Sequence, residues 1–206
     1  QLSDQFGADE IANINNGVST NWPELLTQSG IQTNHNISIS GGSNGHIFSY
    51  GVSVLSEEGV VGEEQYDRYT IKSSNEKKIN NVLSFGVKNN MSYSIQNLGS
   101  NEAFRSAYRL RPTGSPYDSD GELQLIATTK ELQITNPLLD IQYLDAESKS
   151  IHYFGNIYLK IEPAKDLTFT TTFSPDLYFE RYGEYRGLYT KDARGEQSRT
   201  KGYYNT

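Results

Sequence analysis

The sequence predicts an all-β chain of antiparallel, up-and-down strands, and three observations carry that prediction. Apolar residues recur at every second position over several separate runs. Glycine- and asparagine-rich turns separate those runs, and short and long connections alternate strictly along the chain. No stretch reaches the roughly 18 apolar residues that a membrane-spanning helix needs.

The first 31 residues lack a period of two. Asn13, Asn15, Asn16, Gly17 and Asn21 interrupt any apolar pattern, and Trp22-Pro23 starts a short helix through Leu26 that Ser29-Gly30 ends, so 1–31 reads as a loop with one or two helical turns. Strands follow over 32–94. Ile37 and Ile39 alternate with Asn36, Ser38 and Ser40; after Gly41–Gly45, Phe48, Tyr50, Val52 and Val54 alternate with Ser49, Gly51 and Ser53. A third strand carries Tyr69 and Ile71 against Arg68, Thr70 and Lys72. The fourth carries Leu83, Phe85, Val87, Met91 and Tyr93, broken by Asn89, against Ser84, Gly86, Lys88, Asn90 and Ser92.

The stretch 95–150 has no period and is expected to be a functional loop with short elements of its own. Alternation returns at 151–177 as a hairpin, with Ile151, Tyr153, Ile157, Leu159 and Ile161 in one row and Leu167, Phe169 and Phe173 in the next. The polar tail 178–206 is expected to be a loop without a closing strand.

Composition narrows the function classes. Of 206 residues 35% are hydrophobic, below the roughly 45–50% of an ordinary domain on a similar set. A net charge of −7 without any Lys/Arg block argues against a nucleic-acid backbone binder, and zero cysteines remove thiol chemistry and disulfides. Two architectures fit the alternation. In a transmembrane β-barrel, long loops lie outside, short turns lie in the periplasm, and only alternate residues need be apolar. Tyr50, Tyr66, Tyr69, Tyr93, Tyr153 and Tyr158 would then suit interfacial girdles. A soluble β-sandwich that binds carbohydrate or mediates adhesion has the same alternation, with its apolar rows facing a protein core.

A series of segments goes further. Asn21–Leu26, Asn34–Gly42, Phe48-Ser49-Tyr50, Glu58-Gly59-Val60, Asp67-Arg68-Tyr69, Leu83–Val87, Leu110–Thr113 with Pro116–Gly121, Asn136-Pro137-Leu138 and Phe154–Leu159 resemble, in this order, the start of the barrel in SusC/RagA-like TonB-dependent outer-membrane transporters. Pro23 departs from the family, which usually has a polar residue there, and the last thirty residues match no part of it. The resemblance implies a large transmembrane barrel of about 22 strands, with a plug that TonB energises through an N-terminal region absent from this chain. It also implies a SusD-like surface lipoprotein as partner, contact with outer-membrane lipid, and import of oligosaccharides or peptides in a Gram-negative bacterium. On that reading the chain corresponds to about six strands of the first third of the barrel and needs the remaining strands to close its edges.

Candidate chemistry is sparse. His35, His46 and His152 lack metal-ligand spacing, Asp118-Ser119-Asp120-Gly121 reads as a turn rather than a calcium loop, and Glu57-Glu58 and Glu63-Glu64 read as solvated charges. No enzyme, cofactor or metal is expected. Binding is different: Tyr108, Arg109 and Arg111 with Tyr117 and Asp118 in the long loop, and Tyr182 and Tyr185 in the tail, combine aromatic faces, guanidinium forks and a carboxylate suited to sugars or peptides.

Overall fold

The computed structural model describes residues 2–190 and 197–205. The elements run α1 (Leu2–Gln5), α2 (Ala8–Asn16), α3 (Trp22–Leu26), β1 (Gln32–Ser43), β2 (His46–Glu58), β3 (Gln65–Lys78), β4 (Leu83–Asn97), α4 (Asn101–Ala107), α5 (Pro137–Tyr143), β5 (Leu144–Ala164), β6 (Leu167–Phe173), β7 (Asp176–Arg186) and β8 (Arg199–Asn205). The strands form one open antiparallel sheet in the order β1-β2-β3-β4-β5-β7-β8, with β6 also on β5. β6 pairs with Ile157–Ala164 and β7 with Leu144–Phe154, so the two are one passage of the chain interrupted at Ser174-Pro175. Proline has no amide hydrogen to donate to the ladder, but its carbonyl accepts from Gly155 N at 2.9 Å.

Turn chemistry fixes the register. Asn44 and Gly45 both have positive φ, 51° and 71°, as a two-residue hairpin turn between twisted strands requires. Between β3 and β4, Asn80 Oδ1 accepts from the amides of Val82 and Leu83, both at 2.8 Å.

The register places most apolar residues of β1 to β7 on one face. Ile37, Val52, Ile71, Met91, Tyr153 and Leu177 form a single cross-strand row. Toward the loops the next row is Val54, Tyr69, Tyr93, Ile151 and Phe179, and above it come Asp67, Ile95, Lys149 and Arg181. The surface thus passes from aliphatic to aromatic to charged, the sequence expected where a barrel wall leaves the hydrocarbon and enters the headgroups. Among the described residues no second sheet covers this face, and Ile37 is 75% exposed. The described residues therefore form no β-sandwich, which would bury such a row between two sheets.

The opposite face is mainly polar, with Lys72, Asn90 and Phe154 in one row and Thr70, Ser92, His152 and Tyr178 in the next. Of the tyrosines expected in girdles, Tyr66 and Tyr158 lie on this inner face. The Tyr158 ring occupies the space beside its partner Gly86, where a Cβ would lie 2.2 Å from it.

Several strands outrun their sequence pattern. β5 begins at Leu144 rather than 151, the passage expected to end at 177 continues to Arg186, and the tail contains β8 where no closing strand was expected. The reason is physical: above the aromatic row the outward residues are Asp145, Glu147, Lys149 and Arg181, so apolar alternation stops while the backbone ladder continues. The first 31 residues likewise hold α1 and α2 besides the expected α3.

The hydrophobic core lies in the loops, not against the sheet. Trp22 and Leu26 of α3 pack with Ala103, Ala107, Leu110, Ala127 and Ile134 of the long loop, flanked by Leu138 and Ile141. Trp22 is 1% exposed and its Nε1 donates to the Arg111 carbonyl at 2.9 Å. Glu10 of α2, also buried, accepts from the amides of Gly7 and Thr129 and from the Thr113 hydroxyl. Residues 2–31 and 98–143 are thereby joined into one layer at the loop end of the sheet.

Candidate functional site at the inner loop end

On the polar face, where the strands rise beyond the aromatic row, Tyr182 of β7 stands between Ser148 of β5 and Tyr203 of β8 in the ladder. The Tyr182 and Tyr203 rings stack with centroids 4.9 Å apart and planes 20° from parallel. Lys201 Nζ lies 6.0 Å above the Tyr182 ring, within cation–π reach. The Tyr182 hydroxyl donates to Glu184, whose other carboxylate oxygen accepts from Arg186 Nε at 2.7 Å. Ser148 donates to Glu180 at 2.8 Å.

These groups wall a cavity of about 440 Å³ closed on its far side by Leu98, Ser100 and Asn101 at the start of α4. Ser100 is fixed there because its Oγ caps the helix, accepting from Ala103 N at 3.0 Å. The hydrogen bond from Arg186 holds the Glu184 carboxyl below its ordinary value, against an opposing effect of burial. Burial, followed by the hydrogen bond to Glu184, pushes the Tyr182 phenol up to about 12. The chain Tyr182–Glu184–Arg186 is therefore fixed in its charge state near neutrality. It presents a flat aromatic face beside a cation and the side-chain amides of Gln96 and Asn101, an arrangement able to stack a ring and bond polar groups.

The residues singled out from the sequence fall in five places. Tyr182 lies in this cavity, whereas Tyr185 is on the outward face opposite Asp145. Tyr117 and Asp118 line a second cleft, between α2 and the long loop. Arg111 is a bracket within the loop layer: its Nε is 3.0 Å from Glu131, it donates to the Gln5 carbonyl at 2.9 Å, and it lies 5.1 Å from the Phe6 ring centroid. Tyr108 is exposed at the end of α4 with its ring 4.9 Å from Phe104, and Arg109 is exposed beside it. Sequence reasoning missed Lys201 and Tyr203 because it took their segment for loop. The alternation of Arg199, Lys201 and Tyr203 was the available signal.

No family model matches the chain. Two curated proteins of Formosa agariphila do: TonB-dependent receptor P26, 23% identical over 158 residues, and TonB-dependent receptor P3, 27% identical over 190 residues. The matches cover 77% and 82% of this chain. The chain is similar to a segment of TonB-dependent receptors. It spans 16% and 19% of the length of those two TonB-dependent receptors. Solved structures share the fold: the RagAB peptide transporter superimposes with a TM-score of 0.69 at 19% identity, covering 90% of this chain and 24% of that one. The RagAB peptide importer in its closed-closed and open-open states gives 0.66 and 0.67 at 20% identity, covering 82% of this chain and 20% of each. A barrel wall of that fold accounts for an apolar row on one face and the tyrosine stack on the other.

Proposed function

We propose that this chain supplies part of the barrel wall and outer loops of a TonB-dependent transporter. The transporter imports oligosaccharides or peptides across the outer membrane of a Gram-negative bacterium, together with a SusD-like surface lipoprotein. The observation that carries this reading is the two-faced sheet, apolar outside and polar inside, with a packed loop layer at one end only. The name of the RagAB peptide importer, a structural neighbour, supports import and the peptide class. The cavity beside Tyr182 and Tyr203 is where cargo descending from the loops would first meet the inner wall.

The test is uptake by cells carrying the full-length transporter, measured with labelled oligopeptides and oligosaccharides, in the presence and absence of TonB. Uptake of one class that disappears without TonB and weakens in Tyr182→Ala and Tyr203→Ala supports the reading. Uptake of neither class would refute it.

A further inference from the structure

The cleft between α2 and the long loop is the larger of the two described above, about 580 Å³. Four of its side-chain donors are engaged inward. Asn13 Nδ2 donates to the Thr113 carbonyl at 2.9 Å, the Thr113 hydroxyl to Glu10 at 2.9 Å, Gln124 Nε2 to the Ser115 carbonyl at 2.6 Å, and the Ser115 hydroxyl to the Tyr117 carbonyl at 2.7 Å.

Acceptors are left over. Asp118 uses only Oδ1, taking the amides of Asp120 and Glu122, both at 2.9 Å. Among the described residues nothing bonds Asp118 Oδ2, the Asp9 carboxylate, Asn13 Oδ1 or Gln124 Oε1. No Lys or Arg lines the cleft, and the buried Glu10 in its wall has only neutral donors. Between the acceptors stand apolar surfaces: the half-exposed Tyr117 ring, Ile126, and Leu132, which is 63% exposed.

We infer that this cleft binds the side chain of a lysine or arginine carried by an extracellular peptide. A long methylene stem ending in several donors and a positive charge is the complement of an apolar wall ending in acceptors and carboxylates. A neutral sugar offers no stem and no charge, and an amino sugar offers the charge without the stem. The inference rests on the transporter reading for the outward position of these loops, and it narrows the cargo from either class to peptides with a basic residue.

The experiment is binding of short peptides to the purified full-length transporter in detergent, comparing a lysine-containing peptide, its norleucine analogue and chitosan oligomers. The lysine peptide is expected to bind best, with affinity falling as salt rises. Asp9→Asn and Asp118→Asn should each weaken it about tenfold and leave the norleucine peptide unchanged. The amide introduced by Asp118→Asn retains an Oδ1 to hold the turn, so the loop survives that change. Equal binding of the lysine and norleucine peptides, tighter binding of the chitosan oligomers, or no effect of either substitution would overturn the inference. The wild-type salt dependence keeps the test open should a variant not fold. TonB-dependent uptake in the same strains separates the two readings: uptake retained without lysine preference refutes only this inference, whereas absent uptake of peptides and sugars refutes the transporter.

Discussion

The hydroxyl of Tyr153 donates to Asn89 Oδ1 at 2.7 Å across the β4–β5 ladder, on the outward face of the sheet. Asn89 interrupts the apolar row of β4 between Val87 and Met91, and its Nδ2 donates in turn to Ser73 Oγ at 3.1 Å. An amide at this height would face hydrocarbon, where an unpaired polar group is costly. Tyr153 thus satisfies it, with its ring lying beside Gly155. Tyr153→Phe is expected to destabilise the folded barrel by about 0.5–2 kcal/mol. Asn89→Leu in the Phe background should recover most of that loss. Urea unfolding of the full-length protein in lipid vesicles measures both. An unchanged midpoint for Tyr153→Phe would mean the outward face is wet.

The two faces differ most sharply at neighbouring positions. Met91 and Ser92 follow one another in β4, yet Met91 belongs to the outward row with Ile71 and Tyr153, and Ser92 to the inner row with Thr70 and His152. Met91→Arg should cost about 2–4 kcal/mol in a bilayer, and Ser92→Arg less than about 1 kcal/mol. The same vesicle unfolding assay gives the comparison, and a reversed order would invert the assignment of faces.

Trp22 joins two chain segments far apart in sequence, its bond to Arg111 spanning 89 positions, and its removal tests whether the loop layer is a unit separate from the wall. Trp22→Ala empties the centre of the core and removes the bond to the Arg111 carbonyl. A loss of about 3–5 kcal/mol is expected, confined to residues 2–31 and 98–143. Limited proteolysis of intact cells should then cut within both segments, while the full-length barrel still migrates as a folded species in unheated gels. Cutting in only one segment would show that the two do not depend on each other.

How much of this was legible in the sequence depended on where the outward apolar row begins and ends. Ile37, Val52, Met91 and Ile157 announced their strands because that row carries an apolar residue at every second position. The strand ends at Leu144–Ser150 and 180–186 were hidden because the outward residues there are largely charged and the backbone pairing continues without an apolar row. Trp22 and Leu26 were read as a short helix, but nothing in their spacing says that Ala103 and Ile134 complete their core, since those contacts cross the whole length of β1–β4. Tyr182 was singled out by its chemistry, and the structure places it in the wall of the inner cavity. Its separation from Tyr185 is a matter of parity that became visible only once the strand was known to continue past 178.

The Tyr182–Glu184–Arg186 chain sets two pH windows for stability at the inner loop end. Glu184 has its carboxyl lowered from 4.5 in the folded protein by Arg186, so its contribution is present above that unfolded value and is lost as pH falls through the depressed folded one. Tyr182 is the opposite case. Its phenol is raised from 10.0 to about 12, so its contribution is complete below pH 10.0 and disappears between there and about pH 12. Near-ultraviolet difference absorbance of the full-length protein against Tyr182→Phe should show one phenol that ionises late, after the exposed tyrosines. In Glu184→Gln the late phenol should ionise earlier, because the carboxylate that opposes phenolate formation is gone, and the acid window should vanish with it. A Tyr182 that titrates near 10 in both proteins would mean that neither its burial nor its hydrogen bond to Glu184 persists in the assembled barrel.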